Sequence, residues 1–333
     1  LAVQAQAPAQ GLVKITPLGG QEGEFCRFDR AMIFEDPNGT RILYDAGRTV
    51  AGAEDPRLGK IDVVLVSHMH GDHLGDRHNP TPNAGSCDKP DISASALPNS
   101  NSVNIAVKTG AKIVTGSEMP SFFAAKLKQA GGDEKNSILV RFGAMQTING
   151  VGITTVPAAH SNGIAGDFVG QRLGEMLKES GITAYAGPPT GYVVKFSNGL
   201  TVYLSGDTGI TGEQKEVVGE YYKPQLAVMN IGDTFTTGPR EAAYVVNKLV
   251  EPKGVIASHA NEVATLNGKV IADSGQHDDA DKRLNIVISK HDQVDVISRA
   301  GAINLVQALV IVAVALRATV VLLPKPQIPN DAG

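Results

Sequence analysis

The stretch Val64-Leu-Val-Ser-His-Met-His-Gly-Asp-His-Leu-Gly-Asp76 constrains this chain more than any other. A run of β-branched residues and leucine, Ile61 to Val66, gives way at once to His68, His70, Asp72 and His73. Short apolar runs bounded by polar residues are the pattern of a strand buried on both faces. The polar cluster then lies on the loop leaving the C-terminal end of that strand, where α/β sheets place their chemistry. Imidazole and carboxylate are the side chains that ligate zinc and similar ions, at roughly 2.0–2.2 Å. His68 and His70, two residues apart on an extended exit, can turn towards one point. Asp72 and His73, from the next turn, can aim at a second point beside it. With 8 histidines in 333 residues, H-x-H-x-D-H arises by accident on the order of 3 times in 10,000 such chains. A row of merely solvated loop histidines is therefore the weaker reading.

The rest of the chain alternates strands with helices. Leu12 to Leu18 is a short β-like run, and Ala31-Met-Ile-Phe-Glu and Arg41-Ile-Leu-Tyr-Asp flank Asp36-Pro-Asn-Gly, a hairpin signal. Asp45-Ala46-Gly47 ends that hairpin at a tight bend. Helices are expected near 102–109 and from Met119 to Gln129, the latter opening on Ser117-Glu-Met-Pro and stopping at Gly131-Gly132. A strand at Lys112-Ile-Val-Thr and strands at 138–142, 145–148 and 151–156 are expected, the last running into Pro157-Ala-Ala-His160. A second hairpin around Ser197-Asn-Gly delivers Asp207. A strand from Leu226 precedes a helix capped by Thr237 and reaching Val250, and Gly254-Val-Ile-Ala delivers His259. The two halves share a rhythm but no residue-level repeat. Residues 77–100 and 161–190 interrupt it as long polar or glycine-rich insertions, the second with an amphipathic helix near 168–179, and both are expected to wall the site.

Each of His160, Asp207 and His259 alone is a weak signal. Together they supply what the first cluster lacks, since a two-metal site needs a third nitrogen for each ion and a carboxylate able to bridge them. His78, His277 and His291 match no ligand position and read as surface residues. Ser161 and Asn162, beside His160, are candidate substrate contacts, equally readable as shaping a turn.

The order His68-x-His70-x-Asp72-His73, then His160, Asp207 and His259, resembles the metallo-β-lactamase superfamily from about residue 12 to 270. Pro157-Ala-Ala-His-Ser, Ser205-Gly-Asp-Thr-Gly, Thr237-Gly-Pro-Arg-Glu-Ala-Ala and Ser258-His-Ala-Asn-Glu are most similar to its L-ascorbate-6-phosphate lactonase-like branch. A hydrolytic dehalogenase acting on chlorothalonil is a related activity. The resemblance implies an α/β fold, an αβ/βα sandwich of two mixed β-sheets flanked by helices, with metals at the edge between the sheets. It implies that His68, His70 and His160 hold one metal, that Asp72, His73 and His259 hold the other, and that Asp207 bridges them. Two zinc ions are implied, with manganese or iron as alternatives. Asp72 would be catalytic, orienting a hydroxide shared by the two ions.

The expected activity is metal-dependent hydrolysis of a small neutral electrophile: a lactone, an ester or an activated aryl halide. Neither insertion carries an Arg/Lys cluster to hold a phosphate. A phosphodiesterase or nuclease is an alternative, but the net charge of −4 and the lack of a long basic run argue against nucleic acid as a partner. The remaining alternative is a non-catalytic metal-binding or redox protein on the same scaffold. A homo-oligomer is compatible with the sequence.

Residues 1–11 read as a signal-peptide remnant or disordered terminus, because Ala5-Gln6-Ala7 fits a small-x-small cleavage pattern. A periplasmic or secreted location is thus expected, with a cytoplasmic one as the alternative. Cys26 and Cys87 are equally readable as a disulfide or as two free thiols. Residues 12–272 form the expected metallo-hydrolase domain and 273–333 an atypical C-terminal segment. Within that segment, Ala302 to Leu323 nears the length of a membrane span. Its interruption by Arg317 argues against stable membrane insertion and for a buried helix or strand pair.

Overall fold

Three strands in an antiparallel meander, Val13–Pro17 (β1), Met32–Glu35 (β2) and Arg41–Tyr44 (β3), open the chain in the computed structural model. It describes residues 11–19, 21 and 25–263, together with the backbone of 265–266, 269–270, 287–289, 293–295 and 320–322. The turn between β2 and β3 is held by its own side chains. Asp36 Oδ2 accepts from Asn38 N at 2.9 Å and Asn38 Oδ1 accepts from Thr40 N at 2.9 Å, the local bonding for which Asp and Asn are favoured in turns. Parallel strands then extend the sheet: Val63–Leu65 (β4) beside β3, Lys112–Thr115 (β5) beside β4, and Ser137–Leu139 (β6) beside β5.

A second sheet repeats this plan. Met145–Ile148 (β7), Val151–Pro157 (β8), Thr190–Lys195 (β9) and Thr201–Leu204 (β10) are antiparallel in turn. Leu226–Asn230 (β11) and Gly254–Ser258 (β12) follow as parallel strands. Since β8 and β10 are each antiparallel to β9, the strands β8, β10, β11 and β12 all run the same way. Their C-terminal ends share one edge. Val320–Leu322 (β13) pairs antiparallel with β1 at the free edge of the first sheet. The other residues of the aliphatic stretch 302–323 lie outside those described, as do His277 and His291.

Alternation along the strands explains the layers. Val63 and Leu65 face Val194, Val202, Leu204 and Val228 between the sheets, while Val64 joins Val103, Phe123 and Leu127 of the helices outside. The second sheet packs its other face, with Val193, Tyr203 and Met229, on Val218, Ala242 and Val246. Burying residues on both faces of β4 contributes roughly 1.5–3 kcal/mol for each Val or Leu, which is why this strand reads as an unbroken apolar run. The helices are Gly71–Leu74 (α1), Asn101–Thr109 (α2), Met119–Gln129 (α3), Gln171–Ser180 (α4) and Pro239–Tyr244 (α5). Wider π-type turns cover Gln214–Tyr222 and continue α5 through Val245–Val250. Among the described residues no helix is long and apolar enough to cross a membrane.

Three local expectations differ. The strand expected at 138–142 is the shorter Ser137–Leu139. Ser117 does not cap α3; it sits at φ +57° and its hydroxyl donates to Pro188 O at 2.6 Å, leaving Glu118 at the helix start. Thr237 does not cap α5 either. Gly238 takes that position, because Thr237 Oγ1 donates to Asn230 O at 2.9 Å and accepts from Asn230 Nδ2 at 2.8 Å. In both cases a tertiary partner outbids the local capping bond.

Cys26 and Cys87 form a disulfide, with Cα atoms 4.7 Å apart and a sequence separation of 61. It ties the polar segment 77–100 to the residues preceding β2. A loop of that size implies ~4 kcal/mol of stabilisation from restriction of the unfolded chain. Replacing both cysteines by serine should therefore shift the denaturant midpoint strongly downward; an unchanged midpoint would show that the bridge constrains nothing.

Candidate metal centre

The seven ligand candidates arrive from four strand exits. His68 and His70 follow β4 on extended backbone, and the single turn α1 then presents Asp72 and His73. Gly75 closes that turn at φ +76°, where a Cβ would fall 2.4 Å from Gly47 O, so the motif's second glycine is a steric requirement. His160 follows β8, Asp207 follows β10 and His259 follows β12. Two hydrogen bonds clamp the sheets together beneath them: Thr190 N donates to Ser67 O at 2.8 Å and Gly206 N to Tyr44 Oη at 3.0 Å.

The side chains converge in three sets whose ligand atoms lie within 4.8 Å of one another: His68, His70 and His160; His68, His73 and Asp207; and Asp72, His73 and His259. Asp207 Oδ2 stands between them, 2.8 Å from His259 Nε2, 3.2 Å from His73 Nε2 and 3.7 Å from the Nε2 atoms of His68 and His160. Asp72 Oδ2 lies 3.6 Å from His73 Nε2 and 3.7 Å from His259 Nε2.

A fit to divalent cations follows from the outward faces of the rings. Asp45 Oδ1 accepts from Ser67 N at 2.8 Å, and its Oδ2 accepts from Ser67 Oγ at 2.8 Å and from His73 Nδ1 at 2.8 Å. With its proton committed to Asp45, Ser67 Oγ is left to accept from His68 Nδ1 at 2.9 Å. Both Nδ1 atoms are therefore donors, and the Nε2 atoms carry bare lone pairs when the rings are neutral. Those Nε2 atoms are buried and have no hydrogen-bond partner. Buried nitrogens of this kind are costly unless something electropositive meets them. Cations between them would satisfy nitrogens and carboxylates together.

The electrostatics carry the same imbalance. Burial, followed by the charge of His73, pushes the His68 imidazole well below its ordinary value. Burial likewise lowers His70 and His160, and lowers His259 with Arg30 as the next cause. At His73 burial also opposes protonation, but the carboxylates of Asp207, Asp72 and Asp45 outweigh it and push the ring up to about 10. Burial alone would raise the two central carboxyls. His73, with Arg30 at Asp72 and His259 at Asp207, instead holds both below the usual carboxylate range.

Asp45, Ser67 and Arg30 are site residues that the sequence reading passed over. Asp45 leaves β3, which is parallel to β4, so it stands at the same edge and the rule of strand exits would have found it. Its φ of +42°, like the +62° of His259, is a left-handed backbone that persists only where its surroundings over-determine it. Arg30 has no such signal. It precedes β2, and packing alone brings its Nη2 to Asp72 Oδ2 at 3.1 Å.

Of the two residues considered as substrate contacts, Ser161 is exposed with Oγ 3.3 Å from His70 Nε2. Asn162 is placed otherwise. It is 1% exposed, its Oδ1 accepts from Met69 N at 2.8 Å and its Nδ2 donates to Gly187 O at 2.9 Å. Both ends of the amide are committed to holding the metal-motif loop against the insertion. His78 is half-buried beside the Asn79 carbonyl, its Nδ1 2.8 Å away.

The profile of the beta-lactamase superfamily domain matches residues 29–259, a span that runs from Asp29 to the last ligand candidate. A UPF0173 metal-dependent hydrolase of Koribacter versatilis is 32% identical over 237 residues, covering 70% of this chain and 82% of that protein. A second, from Thermodesulfovibrio yellowstonii, is 33% identical over 246 residues, covering 71% and 77%. The solved structure of a metallo hydrolase from the archaeon Ignicoccus hospitalis is 24% identical and covers 74% of this chain and 82% of that one, with a TM-score of 0.49.

Proposed function

Because the chain belongs to the beta-lactamase superfamily and, within it, to the UPF0173 metal-dependent hydrolases, we propose that it hydrolyses a small neutral electrophile, a lactone or ester, at a two-metal centre. The observation that carries this reading is the convergence of four imidazole Nε2 atoms on one oxygen, Asp207 Oδ2, flanked by two separate three-residue sets. In this reading His68, His70 and His160 hold one ion, Asp72, His73 and His259 the other, and Asp207 both. Divalent ions bound there would lower the pKa of water and stabilise negative charge developing on the substrate oxygen. Zinc suits a histidine-rich set best.

The chain's own groups supply the rest. Arg30 engages Asp72 Oδ2, fixing that carboxylate so that it orients the attacking water. Asp45 keeps the His73 tautomer that leaves Nε2 bare. The exposed hydroxyl of Ser161 beside His70 can donate to the substrate.

Two features support a neutral substrate. The guanidinium groups of Arg30 and Arg48 are already committed to Asp72 and Asp76. The insertion that follows His160 exposes the apolar side chains of Leu173, Met176, Ile182 and Tyr185. We also place the protein in an oxidising, periplasmic or extracellular, compartment, which the Cys26–Cys87 bridge supports.

The test is turnover by the metal-loaded protein of four substrates: a lactone, an aryl ester, a chlorinated aromatic nitrile and bis-p-nitrophenyl phosphate. Hydrolysis of the lactone or ester that falls at least about 100-fold in Asp72→Ala is expected. Preference for the nitrile would make the enzyme a dehalogenase, and preference for the phosphate a phosphodiesterase. Silence on all four, with Asp72→Ala indistinguishable from the parent, would overturn the reading.

A further inference from the structure

Arg30 is among the largest fully buried side chains of the molecule, and it lies against only one of the two metal positions. We propose that this guanidinium makes the positions unequal, so that the set of His68, His70 and His160 takes its ion first and the set of Asp72, His73 and His259 binds a second ion more weakly. The inference rests on the two-metal reading given above.

The guanidinium is fixed from several sides. Its Nε and Nη2 donate to Asp72 Oδ2 at 3.3 and 3.1 Å, and Nη1 donates to Ala260 O at 3.2 Å and Asp29 O at 3.4 Å. Nη2 also reaches Asn261 Oδ1 at 3.1 Å. Ala260 and Asn261 directly follow His259, so Arg30 is wedged between the segments that deliver Asp72 and His259. It cannot swing away when a cation arrives. The oxygen it engages, Asp72 Oδ2, is the one that faces His73 Nε2 and His259 Nε2. An ion at that position shares its carboxylate with a fixed positive charge. The charged partners of Asp207 among the described residues are imidazoles, so the other set meets no such competitor.

Charge balance points the same way. The carboxylates of Asp45, Asp72 and Asp207 and the guanidinium of Arg30 together leave two negative charges, which one divalent ion neutralises with the imidazoles uncharged. A second ion brings surplus positive charge beside the buried groups of His73, Asp207 and His259, where such charge is expensive. Without Arg30, the charge of all three carboxylates, Asp72 and Asp207 beside the ions and Asp45 behind His73, would draw in the second.

Titration of metal-free protein with zinc against a chromophoric chelator decides the matter without recourse to activity. The expected result is one tight equivalent and a second at least about tenfold weaker. Arg30→Met, which removes the charge, should tighten the second equivalent and leave the first unchanged. Arg30→Lys, which keeps it, should preserve the inequality. An Arg30 that served only to hold the fold would instead weaken both equivalents in both variants. Two equal equivalents in the unaltered protein, or a second equivalent weakened by Arg30→Met, would overturn the proposal while leaving the two-metal centre standing. Should Arg30→Met not fold, loss of the inequality in Arg30→Lys overturns it as well. Failure to bind zinc at all would sink the two-metal reading itself.

Discussion

Asp207→Ala is expected to empty both halves of the centre at once. One of its oxygens lies within 2.8–3.7 Å of the Nε2 atoms of four histidines drawn from both ligand sets, so no other single substitution touches both positions as directly. Loss of a group that merely supports a ligand typically costs 10–100-fold in metal affinity or activity. A shared ligand should exceed that range, and kcat/KM should fall by more than about 100-fold. Metal retained after dialysis should drop below that of the parent in the same experiment. The chelated proteins supply the control. Without metal, Asp207 is a buried carboxylate that needs His73 and His259 for company, so its removal should shift the unfolding midpoint of chelated protein less than that of loaded protein. If the variant keeps its metal and its rate, Asp207 bridges nothing.

The second large effect is expected from Asp45→Asn, at a residue that touches no ligand-facing nitrogen. The parent carboxylate accepts one hydrogen bond from His73 Nδ1 and two from Ser67. An amide is nearly the same size, so the fold should survive. Its NH2 group, turned towards His73, can only donate, and the imidazole must then move its proton to Nε2 to accept. A protonated Nε2 cannot ligate. Metal affinity should fall by roughly 10–100-fold with secondary structure unchanged, read by chelator competition and circular dichroism together. Equal affinity in both proteins would show that another group sets the tautomer.

Much of this was readable along the chain. The motif from His68 to His73, both hairpins and the β-strand and α-helix order follow from local rules: a two-residue period, turn chemistry and an apolar run of strand length. His160, Asp207 and His259 were legible because each follows a strand that the pattern of apolar residues already marks. Asp45 obeyed the same rule, and only its place in a tight bend drew notice. The capping roles assigned to Ser117 and Thr237 fell because Pro188, 71 residues on, and Asn230, at the end of the preceding strand, offered their hydroxyls better partners than a nearby amide. Asn162 was readable as polar and next to a ligand candidate, yet its burial and its two bonds depend on residues 93 positions earlier and 25 later.

By itself, then, the order of residues determined that four strand exits would carry imidazole and carboxylate groups, because periodicity and turn signals are local and ligand chemistry is a property of residue type. Tertiary structure decided which of those groups meet. The parallel run of β8, β10 and β12 puts three exits on one edge, and packing of the sheets sets them opposite His68 to His73. It also decided the pairing of Cys26 with Cys87, and the wedging of Arg30 between Asp72 and the residues after His259. Such contacts join positions tens to hundreds of residues apart, and no local spacing records them.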